Sequence, residues 1–111
     1  MKLITAIIRQ EKLEGATRAV ISAGARGMTV TEVRGFGQQY GRIPSRPDED
    51  EFLLLPKLRI DVVVQDQAAA KVADAIVKST SIGAIGDGKI WISPVESALR
   101  VRTGERDTAA I

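Results

Sequence analysis

The segment Lys57-Leu58-Arg59-Ile60-Asp61-Val62-Val63-Val64 has the most regular alternation of residue types in the chain. Positions 58, 60, 62 and 64 are apolar, while the positions between them begin with lysine, arginine and aspartate. Successive side chains of a strand point to opposite faces of a sheet. The pattern therefore predicts a strand with one face in the core, and the other elements are best understood relative to it.

A long segment, Gly35 to Lys57, leads into this strand without a convincing period of its own. Pro44 and Pro47 cannot donate hydrogen bonds to a sheet, and the four consecutive acids at 48–51 resist being desolvated together. Connections longer than about 12–15 residues are uncommon in compact domains unless they are functional or disordered. We expect a functional loop, with a solvated insertion in a hairpin as the alternative.

Three further segments predict strands. Residues 2–9 are rich in β-branched residues on both alternating faces, which is typical of a strand buried on both sides. Residues 28–36 return to a period of two, and residues 90–93 form a short apolar run that Pro94 closes.

Two segments change to the helical period. In 11–23 the apolar residues step by three and four until Gly24 ends the pattern. The second helix follows Asp66, a candidate N-cap, and ends around 79–81. After the fourth strand, residues 95–99 predict a helical turn and 100–106 a basic strand or loop.

The predicted order is β-α-β-β-α-β in an α+β protein. Right-handed crossovers place both helices on one face of a four-stranded antiparallel sheet, which is the ferredoxin-like arrangement. The other sheet face would keep some of the apolar side chains of Ile7, Val30, Val63 and Ile90. An uncovered apolar face predicts packing against other copies of the chain.

Composition restricts the class of protein. A chain of 111 residues predicts a single domain, 1–111. The near balance of 16 basic and 14 acidic residues does not indicate nucleic-acid binding. No apolar run reaches about 18 residues, so no membrane insertion is expected. The short, strand-like start does not fit a signal peptide, which predicts a cytoplasmic location.

Missing residue types argue against an enzyme. The chain contains no cysteine, histidine or asparagine. It therefore lacks a thiolate nucleophile and the commonest general base, and also the asparagine with which a ferredoxin-like acylphosphatase places water. What remains is arginine, lysine and glycine, which suit anion binding.

Three short motifs could each approach a phosphate. Gly86-Asp87-Gly88-Lys89 offers backbone N–H groups and a cation, although it is not a Walker A motif and is also ordinary turn chemistry. Arg100 and Arg102 would share one side of an extended segment, with ion pairs to Glu105 or a neighbour as the alternative. Gly35-Phe36-Gly37 allows another close approach of the backbone. Together they predict a nucleotide site.

With these motifs the chain resembles the PII family of nitrogen and carbon signalling proteins along nearly its whole length. The resemblance rests on the opening 4–8, on Gly27-Met28-Thr29-Val30 continuing to Gly37, on Leu55-Pro56-Lys57, on 85–90 and on 100–105. It implies a ferredoxin-like homotrimer without permanently bound cofactor, which binds ATP or ADP in clefts between subunits. It also implies three named loops: a T-loop at about 37–55 that meets target proteins, a B-loop at about 82–88 and a C-terminal loop at about 100–111.

The resemblance also implies roles for individual residues. Phosphates would be held by the motif 86–89 from one subunit and by Arg100 and Arg102 from its neighbour, while Gln39 would ligate magnesium bound to ATP and, with Lys57, hold 2-oxoglutarate. The nucleotide-binding set is Ile7, Thr29, Gly35, Phe36, Gly37, Gln38, Val63, Gly86, Asp87, Gly88, Lys89, Arg100 and Arg102.

The chain departs from the family pattern mainly in its loops. Gln38 replaces a usual basic residue, and Ile82 and Ala84 replace a usual threonine and lysine. The T-loop is about one residue shorter and lacks the usual tip tyrosine, since Tyr40 lies near its base. The nucleotide-binding residues are therefore expected to be retained, whereas the T-loop is expected to differ from that of the family.

The resulting prediction is a non-enzymatic sensor in nitrogen metabolism. It would bind ATP or ADP and 2-oxoglutarate and regulate an unidentified transporter or metabolic enzyme through the T-loop, whose acidic run suits a basic partner surface. The alternative is a PII-like regulator of carbon metabolism that binds ADP or AMP and a small anion such as bicarbonate.

Overall fold

Four strands and two helices follow one another in the predicted order in the computed structural model, which describes residues 1–37 and 54–111. Short 3₁₀ turns at Gln10–Lys12 and Asp66–Ala68 lead into the helices, and a third lies at Asp107–Ala110. The elements are β1 Lys2–Ile8, α1 Leu13–Ser22, β2 Thr29–Gly35, β3 Leu55–Val64, α2 Ala69–Thr80 and β4 Lys89–Pro94.

The strands form one sheet in the order β2-β3-β1-β4, and every neighbouring pair is antiparallel. β1 and β3 are therefore central, with Ile8 opposite Leu58 and Lys2 opposite Val64. This topology with its two helices confirms the predicted ferredoxin-like fold.

The core lies between one sheet face and the two helices. On β3, residues 58, 60, 62 and 64 are buried, and Ile4, Ala6 and Ile8 of β1 lie opposite them. Each helix contributes one apolar stripe to the core, with Val20 in α1 and Ile76 in α2. Burying one Val or Ile side chain stabilises the fold by about 1.5–3 kcal/mol, so the alternation of β3 is a strong determinant of which face turns inward.

The opposite sheet face carries a polar network among its apolar side chains. Thr5 is fully buried there, and its hydroxyl donates a 2.8 Å hydrogen bond to a carboxylate oxygen of Asp61. Arg59 pairs with the same carboxylate at 3.0 Å. Asp61 thus satisfies both a buried hydroxyl and a guanidinium.

Of the four apolar residues expected to lie partly on this face, two lie on it and two lie on the helix face. Ile7 lies opposite Arg59 and belongs to the uncovered face, as does Val63, opposite Leu3. Val30 and Ile90 lie opposite Ile60 and Ala6 and belong to the helix face. Packing of the uncovered face against other copies remains a prediction.

Asp66 does not cap the second helix as expected. No side chain caps either the 3₁₀ turn or α2. The Asp66 carboxylate instead forms a 2.9 Å ion pair with the N-terminal ammonium. The hydrogen bond and the charge of that ammonium lower the pKa of Asp66. The N-terminus lies within reach because β1 begins beside the end of β3.

The expected helical turn at 95–99 is also absent. The N–H of Val95 donates to the carbonyl of Met1 at 3.0 Å, and Leu99 forms an isolated bridge with Arg106. Residues 95–98 have no regular secondary structure, and these two contacts hold the segment at its ends. No helix in the described part of the chain is long and apolar enough to cross a membrane.

Candidate functional site

A cleft of about 560 Å³ lies at one end of the sheet. There β1 and β2 end and β3 and β4 begin, since Gly35 lies opposite Leu55 and Lys89 opposite Ile7. Antiparallel pairing thus brings four segments that are distant in sequence to one place. The lining residues are Ile7, Val33, Arg34, Gly35, Phe36, Gly37, Lys57, Arg59, Ala84, Ile85, Gly86, Asp87, Gly88, Lys89 and Trp91.

Gly88 allows the B-loop to lie directly against β1. Its φ of +102° is in the region that favours glycine. A Cβ added at this position would lie 1.7 Å from the carbonyl oxygen of Ile7. No other residue fits without moving the loop away from the strand.

Asp87 shapes the B-loop from within. Its carboxylate accepts hydrogen bonds from the N–H groups of Ile82, Gly83 and Ala84 at 2.9 to 3.2 Å, and from the Ser81 hydroxyl at 3.2 Å. Desolvation of the carboxyl raises the pKa of Asp87, but these backbone bonds and the Arg9 side chain outweigh it, so the net shift is downward. The carboxylate is therefore a fixed part of the loop.

Two cationic side chains reach the B-loop from the sheet. Lys57 Nζ donates a 2.9 Å hydrogen bond to the carbonyl of Gly86. Arg9 Nη2 donates to the carbonyl of Ile85 at 3.1 Å, and its Nε to Asp87 Oδ1 at 3.4 Å. Desolvation and then the charge of Arg9 lower the pKa of Lys57, and the carboxylates of Glu11 and Asp87 offset part of this.

The cleft also contains hydrogen-bond donors and cations that could bind an anion. Lys89 and Arg34 are exposed and form no ion pair with any residue of the described ranges. The N–H groups of Ile85 and Gly86 likewise donate to no residue in 1–37 or 54–111. The arrangement can therefore bind an anion through backbone N–H groups and two flexible cations.

Most of the predicted nucleotide-binding residues meet in this cleft, and Lys57 joins them. Thr29 and Val63 lie away from it, toward the other end of the sheet. Gln38 and Gln39 lie outside the described residues. The predicted residues that line the cleft are Ile7, Gly35, Phe36, Gly37, Gly86, Asp87, Gly88 and Lys89.

The two predicted arginines of the C-terminal loop also lie outside the cleft of their own chain. Arg100 pairs with Glu105 at 3.3 Å, which is the alternative that the sequence left open. Arg102 is exposed and has no ion pair among the described residues. Their reach into a neighbouring subunit remains a prediction.

Sequence reasoning missed several residues at this site. Arg59 and Trp91 follow Lys57 and Lys89 by two positions, so their place on the same sheet face was predictable from the strand period. Arg9 gave no such signal, because its partners are 76 to 78 residues away. The other residues missed are Val33, Arg34, Ala84 and Ile85.

The chain is a small α+β domain with a candidate anion-binding cleft where four strand ends meet. A family model described as "Nitrogen regulatory protein P-II" matches residues 1–105. The chain belongs to this P-II family, as its resemblance predicted. Proteins of the family are regulatory, which supports a role in nitrogen signalling.

Relatives match along the full length of the chain. It is 49% identical over 112 residues to the nitrogen regulatory protein P-II of Synechocystis sp., with complete coverage of both chains. It is 51% identical to nitrogen regulatory protein P-II 2 of Methanothermobacter thermautotrophicus, of which 97% is covered. It is 45% identical to the nitrogen regulatory protein GlnK of Escherichia coli, again with complete coverage of both.

Proposed function

We propose that the chain is a non-enzymatic, homotrimeric sensor that binds ATP or ADP in the cleft and regulates a target protein of nitrogen metabolism through its T-loop. One observation carries the proposal: the glycine-rich B-loop and the segment 35–37 face one cleft, whose Lys89, Arg34 and N–H groups of Ile85 and Gly86 have no partner within 1–37 and 54–111. Phosphate oxygens would accept from Lys89 and from the N–H groups of Ile85 and Gly86.

The trimer is part of the proposed site. Arg100 and Arg102 are absent from the cleft of their own chain, and so are Thr29 and Val63. If these four residues bind the same nucleotide, they belong to a neighbouring subunit. A nucleotide at such an interface would contact both subunits, which suits a ligand that stabilises one state of the assembly.

A small anion is the proposed second ligand. Lys57 lies in the cleft as a partly desolvated cation, and a carboxylate could pair with it while magnesium bound to ATP bridges to Gln39. In this proposal 2-oxoglutarate is that anion. Bicarbonate, with ADP or AMP as the nucleotide, is the alternative because the T-loop sequence departs from the family pattern.

Calorimetric titration tests these ligands directly. We expect purified protein to bind ADP and ATP, and we expect magnesium and 2-oxoglutarate together to strengthen the binding of ATP. The double variant Lys89→Ala/Arg102→Ala should bind at least about tenfold more weakly, because two charge-assisted contacts are lost. Lys78→Ala, on an exposed position of α2, is the matched control.

Each result leads to a definite conclusion. Unchanged affinity in the double variant would contradict the assigned site. Nucleotide binding that responds to bicarbonate and not to 2-oxoglutarate would select the alternative. Sedimentation analysis gives the oligomeric state, and a monomer at micromolar concentration would contradict the trimer.

A further inference from the structure

Three consecutive residues of the B-loop are held by two cations of the sheet. Ile85 and Asp87 bond to Arg9, and Gly86 between them bonds to Lys57. The B-loop residues before them bond to the Asp87 carboxylate. The loop is thus fixed on one side by its own aspartate and on the other by side chains from outside it.

The two cations lie in or directly beside the two central strands of the sheet. Arg9 directly follows β1, and Lys57 lies near the start of β3, where Ile8 and Leu58 are paired. β1 and β3 are the central strands and carry much of the core. The contacts of Arg9 and Lys57 therefore connect residues 85–87 to the core strands.

Electrostatics favours this arrangement over two free side chains. Arg9 and Lys57 are close enough for the guanidinium to act on the ammonium, and like charges at such a site repel. The carbonyls of Ile85 and Gly86 and the Asp87 carboxylate supply the negative ends that offset this repulsion. Removing either cation leaves loop carbonyls without their donors.

We infer that Arg9 and Lys57 form a clamp, defined by these two side chains and residues 85–87, which holds the B-loop in its nucleotide-binding shape. Both are positioning residues, and Lys57 has this role in the ligand-free protein. The inference rests on the proposed function for its link to nucleotide, but not for its effect on the loop.

Hydrogen exchange in ligand-free protein tests the clamp without nucleotide. Lys57→Met and Arg9→Gln should each speed exchange of the Ile82, Gly83 and Ala84 amides about tenfold or more, because a charge-assisted bond to the loop is lost. Lys57→Arg should stay within about twofold of the unmodified protein, since it keeps a donor. Lys71→Met, exposed on α2, is the control that removes a lysine elsewhere.

Titration with ADP, without magnesium or effector, tests the consequence. Lys57→Met should weaken binding about tenfold and Lys57→Arg should restore most of the affinity. Unchanged exchange in both Lys57→Met and Arg9→Gln would overturn the clamp. Weaker binding with unchanged exchange would also overturn it, because Lys57 would then act on the ligand directly.

The clamp and the proposed function can fail separately. Faster exchange in the variants of a protein that binds no ADP would establish the clamp and refute the nucleotide site. ADP binding that is unaffected by either variant would uphold the proposed function and refute the positioning role.

Discussion

At residue 88 the backbone of the B-loop and the backbone of β1 leave no space for a side chain. Gly83, in the same loop, also has a positive φ, of +75°, but a Cβ there would meet nothing within 4 Å. The two glycines therefore differ in a way that their sequence context does not reveal. Gly83 is needed only for its positive φ, whereas Gly88 is needed both for its positive φ and for the close approach to the Ile7 carbonyl.

Gly88→Ala should destabilise the protein by at least about 3 kcal/mol, because the strained φ and the clash with the Ile7 carbonyl add. Gly83→Ala should cost only about 1–2 kcal/mol, the strain term alone. Urea unfolding followed by circular dichroism measures both. Equal losses would show that the close approach at Gly88 is unimportant.

At the scale of the elements, local pattern was enough to place the regular structure. The alternation in 57–64 and the stripes of 11–23 and 66–80 depend on residues a few positions apart, so the strands and helices lie within a few residues of prediction. Asp66 failed as a cap because a nearer charge, the N-terminal ammonium, took its carboxylate. Such competition depends on where chain ends meet in space, which local pattern does not contain.

The B-loop is a second case in which local sequence pattern is not enough to predict the structure. Gly86-Asp87-Gly88-Lys89 predicted a phosphate-binding turn, yet the aspartate side chain itself occupies three of the loop's N–H groups. A motif cannot indicate which N–H groups are already used. Only the geometry shows that the N–H groups of Ile85 and Gly86 donate to no other residue of the described ranges.

The B-loop should lose its order in acid. The pKa of Asp87 is depressed, so its stabilising bonds are fully present above the ordinary pKa of aspartate, about 4, and are lost as the pH falls through the lower folded value. NMR shifts of the amides 82–84 should therefore titrate together, with a midpoint below about pH 4.

Asp87→Asn is the control for this titration. It removes the titrating group, so the same amides should show altered shifts at neutral pH and no common transition in acid. A midpoint at or above about 4 in the unmodified protein would contradict the depressed pKa.

At the scale of the whole molecule, the cleft joins segments around residues 7, 36, 57 and 87 that no spacing rule connects. The strand order explains the convergence, because the ends of β1 and β2 and the starts of β3 and β4 share one end of the sheet. The resemblance to a family predicted that these segments share one site, whereas composition and period predicted only the separate segments. The role predicted for the two arginines of the C-terminal loop involves a second subunit and remains a prediction.

Mixing subunits tests whether Arg102 acts across an interface. Lys89→Ala and Arg102→Ala proteins should each bind ADP weakly when alone. After refolding together, roughly a quarter of the interfaces would combine an intact Lys89 from one subunit with an intact Arg102 from the other. Calorimetry should then detect a class of sites with restored affinity.

The control is each variant refolded with itself, which cannot create an intact interface. If mixing restores nothing although mass spectrometry shows mixed assemblies, Arg102 and Lys89 do not form one site from two subunits. Arg102 would then be an exposed arginine on the surface of its own subunit.

Trp91 lines the cleft and can also report on it through its fluorescence. It is the single tryptophan of the chain, lines the cleft and is 41% exposed. All indole emission of the protein therefore originates beside the proposed ligand, in contact with the water that a ligand would displace. Tryptophan fluorescence should therefore report whether a ligand occupies the cleft, without any added label.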